Sequence, residues 1–76
     1  MDIREFIDNF ADQFDDLDAS VLTPETEFKQ LDEWNSLVAL SVIAMIDEEY
    51  DVTLKGNDIT GASTVEDLYN TVLSKI

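Results

Sequence analysis

The chain has 76 residues, enough for one small domain, and its 18 Asp and Glu against 4 Lys and Arg give a formal charge of −14. It contains no Cys and no His, which excludes disulfides, thiolate chemistry, imidazole catalysis and the usual zinc sites. So acidic a surface repels nucleic acid and anionic membranes and attracts basic protein surfaces. With 45% apolar residues, the chain is a folding sequence and not a disordered acidic tail.

The first residues lack the basic segment and the apolar run of a signal peptide. The longest nearly continuous apolar stretch, from Leu37 to Ile46, is too short to cross a bilayer. We therefore expect a cytoplasmic monomer with neither a membrane nor a nucleic-acid partner.

Apolar residues near the N-terminus recur at intervals of three and four, which predicts an amphipathic helix over residues 2–16. The apolar face of this helix consists of Ile3, Phe6, Ile7, Phe10 and Phe14. Residues 17–35 contain the only Pro and no convincing period, with a turn expected at Thr23-Pro24-Glu25. Phe28 and Leu31 are expected to fasten this long connection to the core.

A second helix is predicted from Ser36 to Tyr50, with Asn35 or Ser36 as its N-cap. On a helical wheel, the core face consists of Ala39, Val42, Ile43, Ile46 and Tyr50. The opposite face consists of Leu37, Ser41, Ala44 and Glu48, flanked by Leu40 and Asp47 on one side and by Val38 and Met45 on the other. A helix that is apolar almost all round is either central or needed at an interface.

After an extended link at Val52 and Leu54, residues 56–61 have room for one helical turn between the only two glycines. Thr64 is expected to cap the last helix, with Asp67 completing a capping box. The apolar positions of this helix are Val65, Leu68, Tyr69, Val72, Leu73 and Ile76. The sequence thus predicts a single all-α domain over residues 1–76, a small bundle of three main helices and one short helix.

One acidic segment invites comparison with a calcium-binding loop, because Asp16, Asp18, Ser20 and Glu27 follow part of its ligand spacing. Val21 stands where that loop needs Gly for its sharp turn, and Pro24 interrupts it. We therefore predict no metal site in this chain and only weak screening of the acidic surface by divalent ions.

Three segments together resemble the acyl carrier protein family. Asn35-Ser36-Leu37 opens a helix that ends in Asp47-Glu48-Glu49-Tyr50-Asp51, and this is similar to the Asp-Ser-Leu motif and second helix of that family. Thr64-Val65-Glu66-Asp67-Leu68 is similar to the start of the family's last helix. The order of long helix, long loop, Ser-initiated helix, short helix and last helix also matches, so the resemblance covers essentially the whole chain.

The resemblance implies that Ser36 takes a 4′-phosphopantetheine arm from coenzyme A and that the arm's thiol carries acyl groups as thioesters between enzymes. It implies a carrier for type II fatty-acid or related synthesis and not an enzyme. Its partners would be a phosphopantetheinyl transferase and acyl-processing synthases with basic patches. The alternatives are a carrier of aminoacyl or polyketide units and an acidic helical interaction module without a prosthetic group.

The partner surface is expected on the second helix, at Asn35, Leu37, Ser41, Ala44, Asp47 and Glu48. Leu37, Leu40, Ala44 and Met45 form either a docking stripe or the overflow of a buried helix, and the wheel favours exposure for Leu37 and Ala44. Asn35 departs from the family pattern, which has Asp at this place, so the chain keeps a helix cap but loses one negative charge beside Ser36.

Overall fold

The computed structural model describes residues 2–15 and 17–76, and the elements in this part of the chain are helical. Helix α1 spans Ile3–Ala11, α2 spans Ser36–Tyr50, α3 spans Gly56–Gly61 and α4 spans Val65–Ser74. Two 3₁₀ helices, Ala19–Val21 and Phe28–Gln30, lie in the connection between α1 and α2. The predicted all-α bundle with three longer helices and one short helix is confirmed. None of the helices in the described ranges is long and apolar enough to cross a bilayer.

Helix α1 is shorter than the predicted 2–16, and the predicted last residue, Asp16, lies outside the described residues. Beyond Ala11, the N–H of Gln13 donates to the carbonyl of Phe10 and the N–H of Phe14 to that of Ala11, so the backbone tightens into single turns. The last helical turn has no basic residue, and the acids that follow it oppose the helix dipole. Phe14 still reaches the core, with only 5% of its surface exposed.

The connection between α1 and α2 is held to α1 by aromatic side chains. The ring of Phe10 lies 5.5 Å from that of Phe28 and 6.4 Å from that of Trp34, and Phe28 and Trp34 meet edge to face at 4.9 Å. Phe28 is completely buried and Leu31 is half-buried, which confirms that both fasten this segment to the core. Leu22 is also buried, and its role was not predicted.

The core face of α2 is rotated relative to the predicted one. Val42 and Ile46 are fully buried as expected, but Met45, predicted to flank the outward face, is only 7% exposed. Ala39 and Ile43, predicted for the core, are half-buried because they line an open cleft beside α2. The wheel placed Val42 and Ile46 correctly, but it could not show that the edge with Ala39 and Ile43 faces a cleft.

The first turn of α4 has an acceptor for each of its leading backbone N–H groups. Val65 and Glu66 donate to the carbonyls of Thr26 and Pro24, at 3.0 and 2.9 Å, and Asp67 donates to the Thr64 hydroxyl. The Asp67 carboxylate accepts in return from the N–H groups of Ser63 and Thr64, which confirms the predicted capping box. The bonds from Val65 and Glu66 tie the long connection to α4. The bonds that the Asp67 carboxylate accepts from the N–H groups of Thr64 and Ser63 hold its pKa below its ordinary value of 3.8.

The capping box makes a prediction about acid stability. Because the folded pKa of Asp67 is lowered, its contribution to stability is complete above pH 3.8 and is lost as the pH falls through the lower folded value. Asp67→Asn should therefore lower the melting temperature at pH 7, and its difference from the native chain should shrink below pH 3.8.

Glu66→Gln is the matched control, since it removes one charge from the same turn without removing a capping hydrogen bond. Thermal melts of the three proteins between about pH 2 and about pH 7, from the titration range of a carboxyl with a lowered pKa to its full ionisation, would measure both effects. Parallel pH profiles for Asp67→Asn and Glu66→Gln would contradict the assignment.

Candidate functional site

Ser36 is the first residue of α2, and the residue before it supplies the cap. The Asn35 side-chain oxygen accepts from the backbone N–H of Val38 at 2.9 Å, and its carbonyl accepts from the N–H of Ala39 at 3.0 Å. Of the two residues that the sequence left open as the N-cap, the structure assigns Asn35. The hydroxyl of Ser36 is therefore not needed to begin the helix, and Ser36 is exposed.

The start of α2 differs from the start of α4 in what its backbone donors do. Within the described residues, the N–H groups of Ser36 and Leu37 have no acceptor, whereas the corresponding groups of α4 are all taken. Unpaired N–H groups and the positive end of a helix dipole favour an anion at this place. A phosphate on the Ser36 hydroxyl would lie beside both.

No base activates the Ser36 hydroxyl, which has no hydrogen-bond partner among the described residues. The chain has no His to act as one. A serine in this state is a poor nucleophile on its own.

A cleft of about 520 Å³ opens next to Ser36, between α2, α3 and the end of the long connection. Its walls are formed mainly by apolar side chains, namely Trp34, Ala39, Leu40, Ile43 and Ile59. Lys29, Asn35, Ser36, Gly56 and Thr60 complete the lining. An apolar cleft with a few polar groups at its edge is the usual form of a site for a small apolar ligand.

The predicted partner residues take different positions on α2. Leu37 is 74% exposed, and Ala44, Asp47 and Glu48 are exposed as well. Ser41, predicted for the outward face, is half-buried, so it contributes less surface than expected. Leu40 is 63% exposed and therefore belongs to the exposed apolar stripe of α2, whereas Met45 is buried and does not. The partner-binding role of these residues stays a prediction.

The calcium-loop comparison depends partly on Asp16, which lies outside the described residues. Asp18 accepts from the N–H of Ser20 and caps the 3₁₀ helix that follows, and this hydrogen bond lowers the pKa of the Asp18 carboxyl. Among residues 2–15 and 17–76, no group of three or more acidic side chains is placed to hold a metal ion.

Sequence reasoning missed the cleft and two residues in it. The sequence assigned no role to Trp34 or to Lys29. Both lie in the connection without a period, where side-chain direction cannot be read from spacing. The aromatic content of that segment was the available signal, since Phe28 and Trp34 are unusual residues for a solvated loop.

Comparison with known proteins gives one family. A family model described as a phosphopantetheine attachment site matches residues 4–72, nearly the whole chain. No curated protein and no solved structure gave a match.

The assignment of the cap predicts unequal effects of two neighbouring substitutions. Asn35→Ala should lower the free energy of unfolding by about 1 kcal/mol, as the loss of an N-cap side chain usually does. Ser36→Ala should change it by less than about 0.5 kcal/mol, since its hydroxyl makes no capping bond. Urea unfolding at pH 7 measures both values. An equal loss for the two variants would mean that Ser36 shares the cap.

Proposed function

The chain belongs to the phosphopantetheine attachment site family, and we propose that Ser36 is the residue to which its arm is attached. The observation that carries this proposal is the exposed, uncommitted hydroxyl of Ser36 at a helix start whose N–H groups are open. In its neighbourhood, Asn35 alone supplies the capping side chain, so modification of Ser36 leaves the helix cap in place.

Domains of this family are carriers without catalytic activity, and 4′-phosphopantetheine is the group that they carry covalently. The arm supplies a thiol, which this chain lacks, for holding acyl groups as thioesters. The residues present fit the group. No described residue accepts from the backbone N–H groups of Ser36 and Leu37, which leaves them for its phosphate, and the apolar cleft begins at Ser36 itself.

The cleft supports an acyl cargo over an aminoacyl cargo. Its walls of Trp34, Ile43 and Ile59 would cover a hydrocarbon chain and keep water away from it. An aminoacyl group would bring a charged ammonium against the same apolar walls, which is unfavourable without a partner. These walls support the proposal that the chain serves type II fatty-acid or related synthesis. We also propose a cytoplasmic location.

The outward face of α2 is the proposed docking surface for the transferase and for the enzymes that process the cargo. Carriers of this family work with both kinds of enzyme. Leu37, Leu40 and Ala44 are exposed along one side of the helix, and Asp47 and Glu48 follow at its end. An apolar stripe with acids beside it suits brief contact with a basic, partly apolar patch.

Attachment at Ser36 is tested by incubating the protein with coenzyme A, magnesium and a broad-specificity transferase. Intact mass should rise by one phosphopantetheine group, and peptide mapping should locate the gain on Ser36. Ser36→Ala should abolish the gain, whereas Ser41→Ala, which changes a half-buried serine of the same helix, should not. A gain that persists in Ser36→Ala would overturn the assignment.

Charge reversal tests the docking surface. Asp47→Lys with Glu48→Lys should reduce kcat/KM for arm transfer several-fold at low salt, because these acids speed the encounter with a basic enzyme. The reduction should be much smaller at high salt, where exposed charges are screened. The measurement is a salt series of transfer rates, with circular dichroism to verify helicity.

The matched control reverses two exposed acids outside α2, Asp8 and Asp12, and makes the same change in net charge. If the control slows transfer as much as the α2 variant, the rate depends on overall charge and docking is not localised on α2.

A further inference from the structure

Among residues 2–15 and 17–76, Lys29 is the only charged residue in the lining of the cleft beside Ser36. The chain has four basic residues against 18 acids, so a cation in this apolar site is not a consequence of composition. Lys29 belongs to the 3₁₀ helix Phe28–Gln30, and the full burial of its neighbour Phe28 fixes the backbone from which it extends. The side chain is half-buried.

The ammonium group of Lys29 has one protein partner in the described part of the chain. It donates to the carbonyl of Thr60, in the last turn of α3, at 2.8 Å. No carboxylate of the described residues lies within salt-bridge distance of this ammonium group. The ion pair that the described residues do form joins Lys75 and Asp58. An ammonium has three N–H donors, so the bond to Thr60 leaves two of them for water or for a ligand in the cleft.

A ligand that fills the cleft changes the surroundings of these donors. A saturated hydrocarbon chain would remove water from the ammonium without offering an acceptor, which is unfavourable for a charged group. A chain with a hydroxyl, keto or carboxylate oxygen would replace the lost water by a charge-assisted hydrogen bond to the ammonium, whose bond to Thr60 lies at the exposed edge of the cleft.

We propose that Lys29 makes this cleft selective for acyl chains that carry an oxygen acceptor over saturated chains of the same length. The proposal rests on the attachment of the arm at Ser36, since only a cargo held there enters the cleft. Lys29 is in this view a specificity-determining residue for the cargo, in addition to linking the long connection to α3.

The test compares three cargoes of equal chain length on the whole protein. Octanoyl, 3-hydroxyoctanoyl and octanedioyl arms are loaded from their coenzyme A thioesters by a broad-specificity transferase, and loading is verified by intact mass. The two oxygenated chains place the acceptor near the thioester or at the far end. Retention in the cleft is measured as protection of the thioester from hydroxylamine, relative to the same thioester on free pantetheine.

In the native protein, at least one oxygenated chain should be about tenfold better protected than octanoyl, the size expected of one hydrogen bond to a charged group. Lys29→Met, which keeps an unbranched side chain and removes the donors, should reduce this ratio to about one, because no charge-assisted bond remains. Lys29→Arg should retain most of it. Lys55→Met is the matched control, with the same loss of charge at an exposed position outside the lining, and should behave as the native chain.

Three results would overturn the inference: no preference in the native protein, an unchanged ratio in Lys29→Met, or an equal effect of Lys29→Met on all three cargoes. The last result would mean that Lys29 contacts the phosphate of the arm or only braces α3. If Lys29→Met does not fold, the inference is judged from the protection ratio of the native protein and from whether Lys29→Arg retains it. Failure to load at Ser36 would contradict the proposed function, whereas a loaded protein without preference contradicts the selectivity alone.

Discussion

The packing of Phe28 and Trp34 against Phe10 is the interaction on which the site depends. The connection between α1 and α2 has no regular period, and aromatic contacts of 4.9 to 6.4 Å give it one position on the core. Trp34 stands two residues before Ser36 in the sequence, so the same contacts place the start of α2. They also turn one side of Trp34 toward the cleft that begins at Ser36.

Helices α2 and α4 use their N-terminal donors in opposite ways. The backbone N–H groups in the first turn of α4 are all hydrogen-bonded within the protein. Their acceptors are the carbonyls of Pro24 and Thr26 and the hydroxyl of Thr64. In the described part of the chain, the N–H groups of Ser36 and Leu37 are left open, since Asn35 accepts from those of Val38 and Ala39. An anion-binding helix start must have unpaired donors, and a helix start that anchors a long loop must not.

The starts of α2 and α4 could be predicted from the sequence, because a helix cap is formed by neighbouring residues. The caps at Asn35 and Thr64 depend on residues within one turn, so α2 and α4 begin where the sequence predicts. The end of α1, the burial of Met45 and the cleft depend on which elements meet in space. A wheel places side chains around one helix axis, but it cannot show that the neighbour of Ala39 and Ile43 is an opening. Lys29 could not be recognised for the same reason, since Thr60 is 31 residues away.

The walls of the cleft differ in how firmly they are held. Helix α2 buries Val42, Met45 and Ile46 in the core, whereas α3 has six residues and buries only Ile59. The other ties of α3 lie at the surface: the bond from Lys29 to Thr60, and the 3.8 Å ion pair between Lys75 and Asp58, whose side chains are 38% and 20% exposed. Exposed pairs of this kind add little stability, and an element with few buried contacts opens at low free energy. If the volume of the cleft changes, we therefore expect α3 to move more readily than α2, the helix that begins at Ser36.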